Sequence, residues 1–241
     1  MTPNVLYRLW PYGALMLLFV GVITRAITAT LRSDHQPAES QRLSFGNALW
    51  RTGLSAVVVG HAAVLLFPGT VLAWNGVPFR LYLLEFAGFA SGLAACAGWV
   101  YILRRHLSAP QKGAGQIVDS ILLSVVGTTL GSGLLLAWTH RWASSWAAST
   151  LTPYVRSLLS ANVRTDLVAG MPFLVRLHVV SGFTALALLP LSSAGGVLAR
   201  AMRSVTHSLR LAVRMRLDPL KEYLTGRLAG QMGNWLWPEE E

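Results

Sequence analysis

The stretch VVVGHAAVLLFPG, residues 57–69, is an apolar run that holds a single histidine, His61. The same composition extends over all 241 residues, of which 53% are hydrophobic and only 12% are charged, whereas soluble domains carry about 25% charged residues. So little charge is typical of a membrane protein. An imidazole inside such a run is costly, and it is usually functional and faces the interior of a helix bundle.

Five windows are long and apolar enough to cross a bilayer core of about 30 Å, which needs about 20 helical residues. They predict transmembrane helices at residues 12–31, 52–73, 81–103, 117–138 and 172–199. The first window begins close to Met1 and lacks a small-residue cleavage site, so we expect a retained span and not a signal peptide. The predicted fold is an all-α bundle of five transmembrane helices at residues 1–199, followed by a basic cytoplasmic tail at residues 200–241.

Basic residues set the predicted orientation, because loops rich in Lys and Arg stay in the cytoplasm. With the C-terminus inside, 14 of the 20 Lys and Arg residues lie on the inner side and 6 on the outer side. The N-terminus is therefore expected outside. Tryptophans at the outer helix ends and in the outer loop are typical of an interfacial aromatic belt; they are Trp10, Trp74, Trp138, Trp142 and Trp146.

Two segments outside the spans leave alternatives open. The outer loop, residues 139–170, contains the amphipathic segment TPYVRSLLSANVRTDL, which either lies on the membrane, meets a partner, or covers the bundle as a lid. The amphipathic tail is broken near Pro219, and we expect it to contact anionic lipid more than a cytoplasmic subunit. The net charge of +10 does not indicate a nucleic-acid partner, because the cations lie at the ends of apolar runs.

Histidines are the candidate metal ligands, since a lone Cys96 excludes both an internal disulfide and a CxxC site. Two of them, His61 and His178, are predicted at similar depth in the outer halves of antiparallel spans. The other four are expected at surfaces or helix ends; they are His35, His106, His140 and His207.

A depth-matched pair of imidazoles can supply the two axial ligands of a haem. Small residues beside both histidines would let a flat macrocycle approach the backbone; they are Gly60, Ala62, Ala63, Ser181 and Gly182. The alternative is a packing role, in which each imidazole donates to a carbonyl of a neighbouring helix. The matched depth favours haem, because polar groups inside a membrane are expensive.

Four segments, in order, resemble the gamma subunit of respiratory nitrate reductase, a five-span cytochrome b; they are LWRTGLSAVVVGHAAVLL, FAGFASGLAACAGWVYILRRHLSAP, DSILLSVVG and RLHVVSGFTALALLPLSS. The resemblance covers most of residues 10–195, but neither the outer loop nor the tail. It implies two b haems stacked across the membrane, quinol oxidation near the outer haem, and electron transfer to an iron-sulfur subunit. It also implies that His61 and His178 are the outer haem's ligands.

The chain departs from this family where the inner haem would be bound. The resemblance places the inner ligands at Arg51 and Gly196. Arginine stays protonated and has no lone pair to offer, and glycine has no side chain. His207 lies about 43 Å of helix beyond His178, and His106 lacks an evident partner. The sequence therefore predicts one haem b.

The resemblance also implies a quinol site beside the outer haem, where a family lysine corresponds to Arg80. We expect Arg80, Gly60 and Glu85 to bind quinol, with Arg80 hydrogen-bonding a quinol oxygen or, alternatively, anchoring the helix at the headgroups. Glu85 either accepts a quinol proton or pairs with Arg80. Arg176 is expected to neutralise a haem propionate, and Asp119 to be only a helix N-terminal charge.

The predicted function is a haem b membrane anchor in a bacterial or archaeal cytoplasmic membrane. It would exchange electrons between the quinone pool and a partner redox subunit that carries iron-sulfur, molybdenum or cytochrome c centres. Because the single haem lies in the outer half, we expect that partner on the outer side. The alternative is a haemless structural anchor or assembly subunit. A transporter is disfavoured, since no internal repeat is evident.

Overall fold

The computed structural model describes residues 5–31, 45–109, 113–140, 142–196 and the single positions 213, 215 and 217. In chain order its α-helices are α1 (Trp10–Leu31), α2 (Phe45–Leu66), α3 (Pro68–Asn75), α4 (Pro78–Ser108), α5 (Ala114–Thr139), α6 (Ala143–Trp146), α7 (Thr152–Leu159), α8 (Asp166–Ala169) and α9 (Phe173–Leu188). The described residues contain no strand. Of these helices, α1, α2, α4, α5 and α9 are long and apolar enough to cross a membrane. The predicted all-α, five-span fold is confirmed, and the orientation of the termini stays a prediction.

The second span begins and ends seven residues earlier than predicted. It runs from Phe45 to Leu66, and not from 52 to 73. Pro68 ends it, because a proline has no N–H to continue the hydrogen-bond ladder of a helix. The apolar residues that follow form the separate helix α3. The predictions for α1, α4 and α5 agree with the structure to within five residues.

The fifth span was predicted to run without a break to residue 199, and the structure interrupts it at Ser192, while residues 197–199 lie outside the described residues. After α9 a 3-10 turn ends at Leu191, and Ser192 takes an extended conformation with ψ of 172°. Pro190 lies in this turn, where a proline cannot donate to the preceding turn of a helix. Helix resumes at Ser193, whose backbone N–H donates to Asp119 Oδ1 at 2.7 Å. Asp119 therefore connects α5 to the restarted helix, and the prediction of a mere terminal charge was incomplete.

The transmembrane helices pack in the spatial order α2, α4, α5, α9, α1. Glycines let α2 approach α4 closely, since an added Cβ at Gly53 would collide with the backbone of Ala95 and one at Gly98 with the backbone of Trp50. Small residues at such crossings are typical of membrane bundles. Within the described residues α2 and α9 are not closely packed on each other. The two helices approach each other through the side chains of His61 and His178.

Residues 142–170 cross one end of the bundle, and we name them the cap segment and that end the loop end. Helix α7 of the cap segment buries Tyr154 and Leu158 in a cluster with Tyr7 and Val168. The Tyr154 hydroxyl donates to the Tyr7 carbonyl at 2.8 Å. These buried contacts support the lid among the three alternatives for this loop.

Three tryptophans at the loop end are partly exposed, with exposed fractions of 45% for Trp74, 75% for Trp138 and 40% for Trp142. These positions fit the predicted aromatic belt. Trp10 differs, because its indole Nε1 donates to Thr184 Oγ1 of α9 at 3.2 Å. It therefore also ties α1 to α9.

Candidate functional site

His61 and His178 face each other near the loop end. His61 lies five residues before the end of α2, and His178 lies five residues after the start of α9. At a rise of 1.5 Å per residue, each histidine therefore lies about 7.5 Å along its helix from the loop end of that helix. Their ring centroids are 6.1 Å apart, and the ring planes are inclined by 31°. The structure therefore brings together the two histidines that the sequence singled out.

Both imidazoles use Nδ1 for a hydrogen bond to a backbone carbonyl. His61 Nδ1 lies 2.8 Å from the Val57 carbonyl of its own helix. His178 Nδ1 lies 3.0 Å from the Thr129 carbonyl of α5, and 3.2 Å from Ser132 Oγ. A carbonyl can only accept, so Nδ1 carries the proton and Nε2 keeps its lone pair. Such an outer hydrogen bond orients a metal-bound histidine and fixes its tautomer.

The spacing of the two rings suits one metal between them. A bond from a metal to an imidazole nitrogen is about 2 Å long, and that nitrogen lies about 1 Å from the ring centre, so two rings across one metal have centroids about 6 Å apart. The observed distance is 6.1 Å. In the described part of the chain, no group of three or more His, Cys, Asp or Glu side chains could hold a metal ion. Two imidazoles alone suit a metal whose other ligands belong to a cofactor, as in haem.

The backbone near the two histidines is uncovered at two glycines. A Cβ added at Gly60, next to His61, would meet no protein atom within 4 Å, and the same holds at Gly182 on α9. Gly133 of α5 is different, since a Cβ there would lie 2.9 Å from His178 Cε1. The described residues therefore fit the axial ligation of a haem, with Gly133 supporting one ring.

Arg176 lies two residues before His178 on α9. Its Nε atom is buried, and among the described residues it has no hydrogen-bond partner. A buried guanidinium donor without an acceptor is costly. An anionic group such as a haem propionate would satisfy it.

Arg80 lies in the first turn of α4 at the loop end. Its guanidinium carbon is 5.1 Å from the Trp74 ring centroid, a cation–π contact, and the Trp74 indole donates to the Arg80 carbonyl at 3.2 Å. Trp74 also lines a cavity of about 200 Å³ between α3 and α4, together with Thr70, Val71 and Leu84. The cation therefore lies beside an apolar cavity.

Glu85 does not pair with Arg80, so that alternative was wrong. Its Oε1 accepts hydrogen bonds from the backbone N–H and the hydroxyl of Ser144, at 2.8 and 2.7 Å. Asn75 Nδ2 donates to the hydroxyls of Ser144 and Ser145 at 2.9 and 2.8 Å. These bonds hold the start of the cap segment against α3 and α4. The carboxylate that we predicted for quinol therefore also has a structural role.

The opposite end of the bundle presents no second pair of histidines in the described residues. Arg51 is exposed on α2. Gly196 follows the break at Ser192, so it does not continue the helix that carries His178. His106 Nε2 lies 2.8 Å from Ser120 Oγ and links α4 to α5.

The remaining histidines do not join either site. His140 Nδ1 bonds the hydroxyl of the adjacent Thr139 at 2.9 Å. His35 and His207 lie outside the described residues.

Sequence reasoning missed the α5 residues that support His178. They are Thr129, Ser132 and Gly133, within the run TTLGSG at residues 128–133. Small and hydroxyl-bearing residues one turn apart indicate a close helix contact in a membrane. That signal does not identify the histidine they contact, because α5 and α9 meet only in the folded bundle.

Several known proteins have sequences similar to that of this chain. The chain is 24% identical over 216 residues to the nitrate reductase gamma chain of Bacillus subtilis. This match covers 86% of this chain and 96% of the Bacillus protein. It is 27% identical over 203 residues to the respiratory nitrate reductase 1 gamma chain of Escherichia coli, and that match covers 77% of this chain and 86% of the Escherichia coli protein. It is also 26% identical over 207 residues to the nitrate reductase-like protein NarX of Mycobacterium tuberculosis, covering 79% of this chain and 30% of that protein.

The family model described as nitrate reductase gamma subunit matches residues 3–194. Residues 3–194 include the cap segment, although the four segments that resemble the family do not. The matched range ends before the basic tail. The match covers most of the chain and all five transmembrane helices. The chain therefore belongs to the nitrate reductase gamma subunit family.

Proposed function

We propose that this chain is the haem b-containing membrane subunit of a respiratory oxidoreductase complex, and that it exchanges electrons between quinol and a partner redox subunit. The family and the five apolar helices make it a multi-pass subunit that assembles with other subunits of a nitrate reductase complex. The single observation that carries the finer proposal is the pair His61 and His178, facing each other at 6.1 Å. When bound there, haem b supplies reversible one-electron transfer.

The protein's part would be to hold and orient the imidazoles of His61 and His178, which would bind the haem iron. Each presents Nε2 because Nδ1 donates to a carbonyl, of Val57 for His61 and of Thr129 for His178. Arg176 offers a buried donor toward an anionic substituent.

We infer one haem and not two. The positions that the family would use for the inner ligands hold Arg51 and Gly196, which lack a donor atom for iron. The break at Ser192 supports this inference, because it removes Gly196 from the register of α9. His106 is engaged with Ser120. With a single haem near the loop end, most of the membrane lies between it and the opposite end.

The quinol site proposed here lies at the loop end around Arg80, Gly60 and Glu85. The cavity beside Trp74 is apolar and suits a quinol ring or tail. Arg80 can donate to a quinol oxygen and stay protonated. Glu85 can accept a quinol proton while Ser144 holds its Oε1 atom.

We place the partner redox subunit at the loop end, outside a bacterial or archaeal cytoplasmic membrane. The excess of Lys and Arg in the segments of the opposite end favours this orientation. Electrons and protons would then leave on one face. A cross-linking map of the intact complex tests this arrangement, with contacts to the cap segment expected. An iron-sulfur partner found on the basic tail would contradict it.

Haem content tests the proposal most directly. A pyridine haemochrome assay on the purified complex should give one haem b for each copy of this subunit. His61→Ala and His178→Ala should each remove it, whereas His106→Ala, a histidine of the opposite end, should retain it. Two haems per copy would contradict the single site, and none would favour the haemless structural anchor or assembly subunit.

A further inference from the structure

The helix that carries His61 ends in three carbonyls that need partners from outside the helix. The Phe67 N–H donates to the Ala63 carbonyl at 2.9 Å. The next donor in the ladder would be Pro68, which has no N–H. The carbonyls of Val64, Leu65 and Leu66 therefore belong to the unsatisfied end of the helix.

Two residues of α7 in the cap segment supply these partners. Thr152 Oγ1 donates to the Val64 carbonyl at 3.1 Å. Arg156 Nη2 donates to the carbonyls of Leu65 and Leu66, both at 3.2 Å. Thr152 and Arg156 are four residues apart, so both side chains lie on one face of α7. The Thr152 side chain is buried, and Arg156 is exposed.

We propose that Thr152 and Arg156 are positioning residues for the His61 imidazole, and that the charge of Arg156 raises the reduction potential of the haem held there. This inference rests on the proposed function. His61 lies three residues before Val64, so the bond from Thr152 restrains the turn that follows the imidazole. Among the described residues, His61 forms its hydrogen bond within its own helix, to the Val57 carbonyl. The direction of its ring therefore depends on how α2 is held at this end.

The charge of Arg156 acts on the same site. A cation at the C-terminus of a helix interacts favourably with the helix dipole, and a nearby positive charge favours the reduced, less positive iron. Leu65 lies four residues past His61, or about 6 Å of helix rise, and Arg156 Nη2 lies 3.2 Å beyond the Leu65 carbonyl. With the length of the His61 side chain added, the guanidinium is roughly 12 Å from His61 Nε2. Because Arg156 is exposed, a dielectric constant between about 40 and 80 applies, and the reduction equilibrium changes by about two- to threefold.

Redox titration of the haem in the purified complex tests this proposal. Arg156→Gln keeps an amide donor but removes the charge, and it should lower the midpoint potential by the equivalent of a two- to threefold change, about 20–30 mV for one electron. Arg156→Lys keeps the charge and should restore most of that shift. Thr152→Val removes only a hydroxyl and should alter the electron paramagnetic resonance signal that reports axial imidazole orientation, whereas Thr152→Ser should retain the wild-type signal.

Arg164 provides a matched control, because it lies in the same cap segment and its guanidinium contacts only Asp166 among the described residues. Arg164→Gln removes the same charge without touching α2, and it should leave potential and signal at their wild-type values. Equal shifts in the Arg156 and Arg164 variants would overturn the inference, as would a haem-loaded Arg156→Gln protein with the wild-type potential. A wild-type protein without haem b would instead overturn the proposed function, and this inference with it.

Discussion

Replacing Gly133 by alanine should displace the His178 imidazole. The new Cβ would lie 2.9 Å from His178 Cε1 and 3.3 Å from Nδ1. Carbon atoms in good contact are about 3.5–4.0 Å apart, so the ring must move by about 0.5–1 Å. The α5 backbone cannot retreat easily, because α5 packs closely on both α4 and α9.

The size of the effect follows from the hydrogen bond that this movement stretches. His178 Nδ1 lies 3.0 Å from the Thr129 carbonyl, and a hydrogen bond weakens steeply when the distance approaches about 3.5 Å. Removing the outer partner of a metal-bound histidine typically lowers metal affinity about 10–100-fold. We expect Gly133→Ala to weaken haem binding by that factor.

The assay is a haem titration of the apoprotein, followed by visible absorbance, with a thermal melt of the same apoprotein. Gly131→Ala is the matched control, since a Cβ two residues earlier on the same helix would meet no atom within 4 Å. It should bind haem like the wild type. Equal haem affinity in the two variants would refute the reasoning, because Gly133 would then not support the ring.

Three further substitutions test the quinol site, the open space and the cap segment. Arg80→Ala should lower quinol turnover and leave the haem spectrum unchanged; unchanged turnover would remove Arg80 from the site. Gly60→Leu should leave the melting temperature of the apoprotein close to wild type, because a Cβ at this position would meet no atom of another helix within 4 Å, but it should reduce haem or quinol binding. Tyr154→Phe should lower the free energy of unfolding by about 1–3 kcal/mol, since the buried Tyr7 carbonyl loses its donor. Burial, with smaller contributions from Tyr7 and Tyr12, raises the pKa of Tyr154, so the wild type should lose stability above about pH 10, where the unfolded chain ionises. Denaturation curves against pH should lack this loss in the variant.

The helical fold was predictable because span length and apolar composition are local properties. The errors occurred at prolines, where apolar residues continue but hydrogen bonding cannot. Pro68 divides an apolar run into α2 and α3, and Pro190 ends α9 before residue 199. Hydropathy does not depend on whether a residue has a backbone N–H, whereas a helix cannot continue its hydrogen bonding through a proline.

The proximity of the two histidines was predictable from the sequence, but the residues that contact them were not. His61 and His178 were recognisable because an imidazole in an apolar helix is rare and costly. The bonds that hold Glu85 to Ser144, and the end of α2 to Arg156, join residues 59 and more positions apart. No periodicity within one helix encodes such a pairing.

The sequence by itself determined that this chain forms five apolar helices and that two of them carry a histidine at matched depth. These conclusions depend on residue type and on distance along a helix. Only the tertiary structure decided that the two rings meet at 6.1 Å, that Gly133 lies against His178, and that the cap segment completes the hydrogen bonding of the His61 helix. The reason is physical: helices separated in sequence choose their neighbours by packing side chains and satisfying buried carbonyls, and both conditions exist only once the bundle has formed.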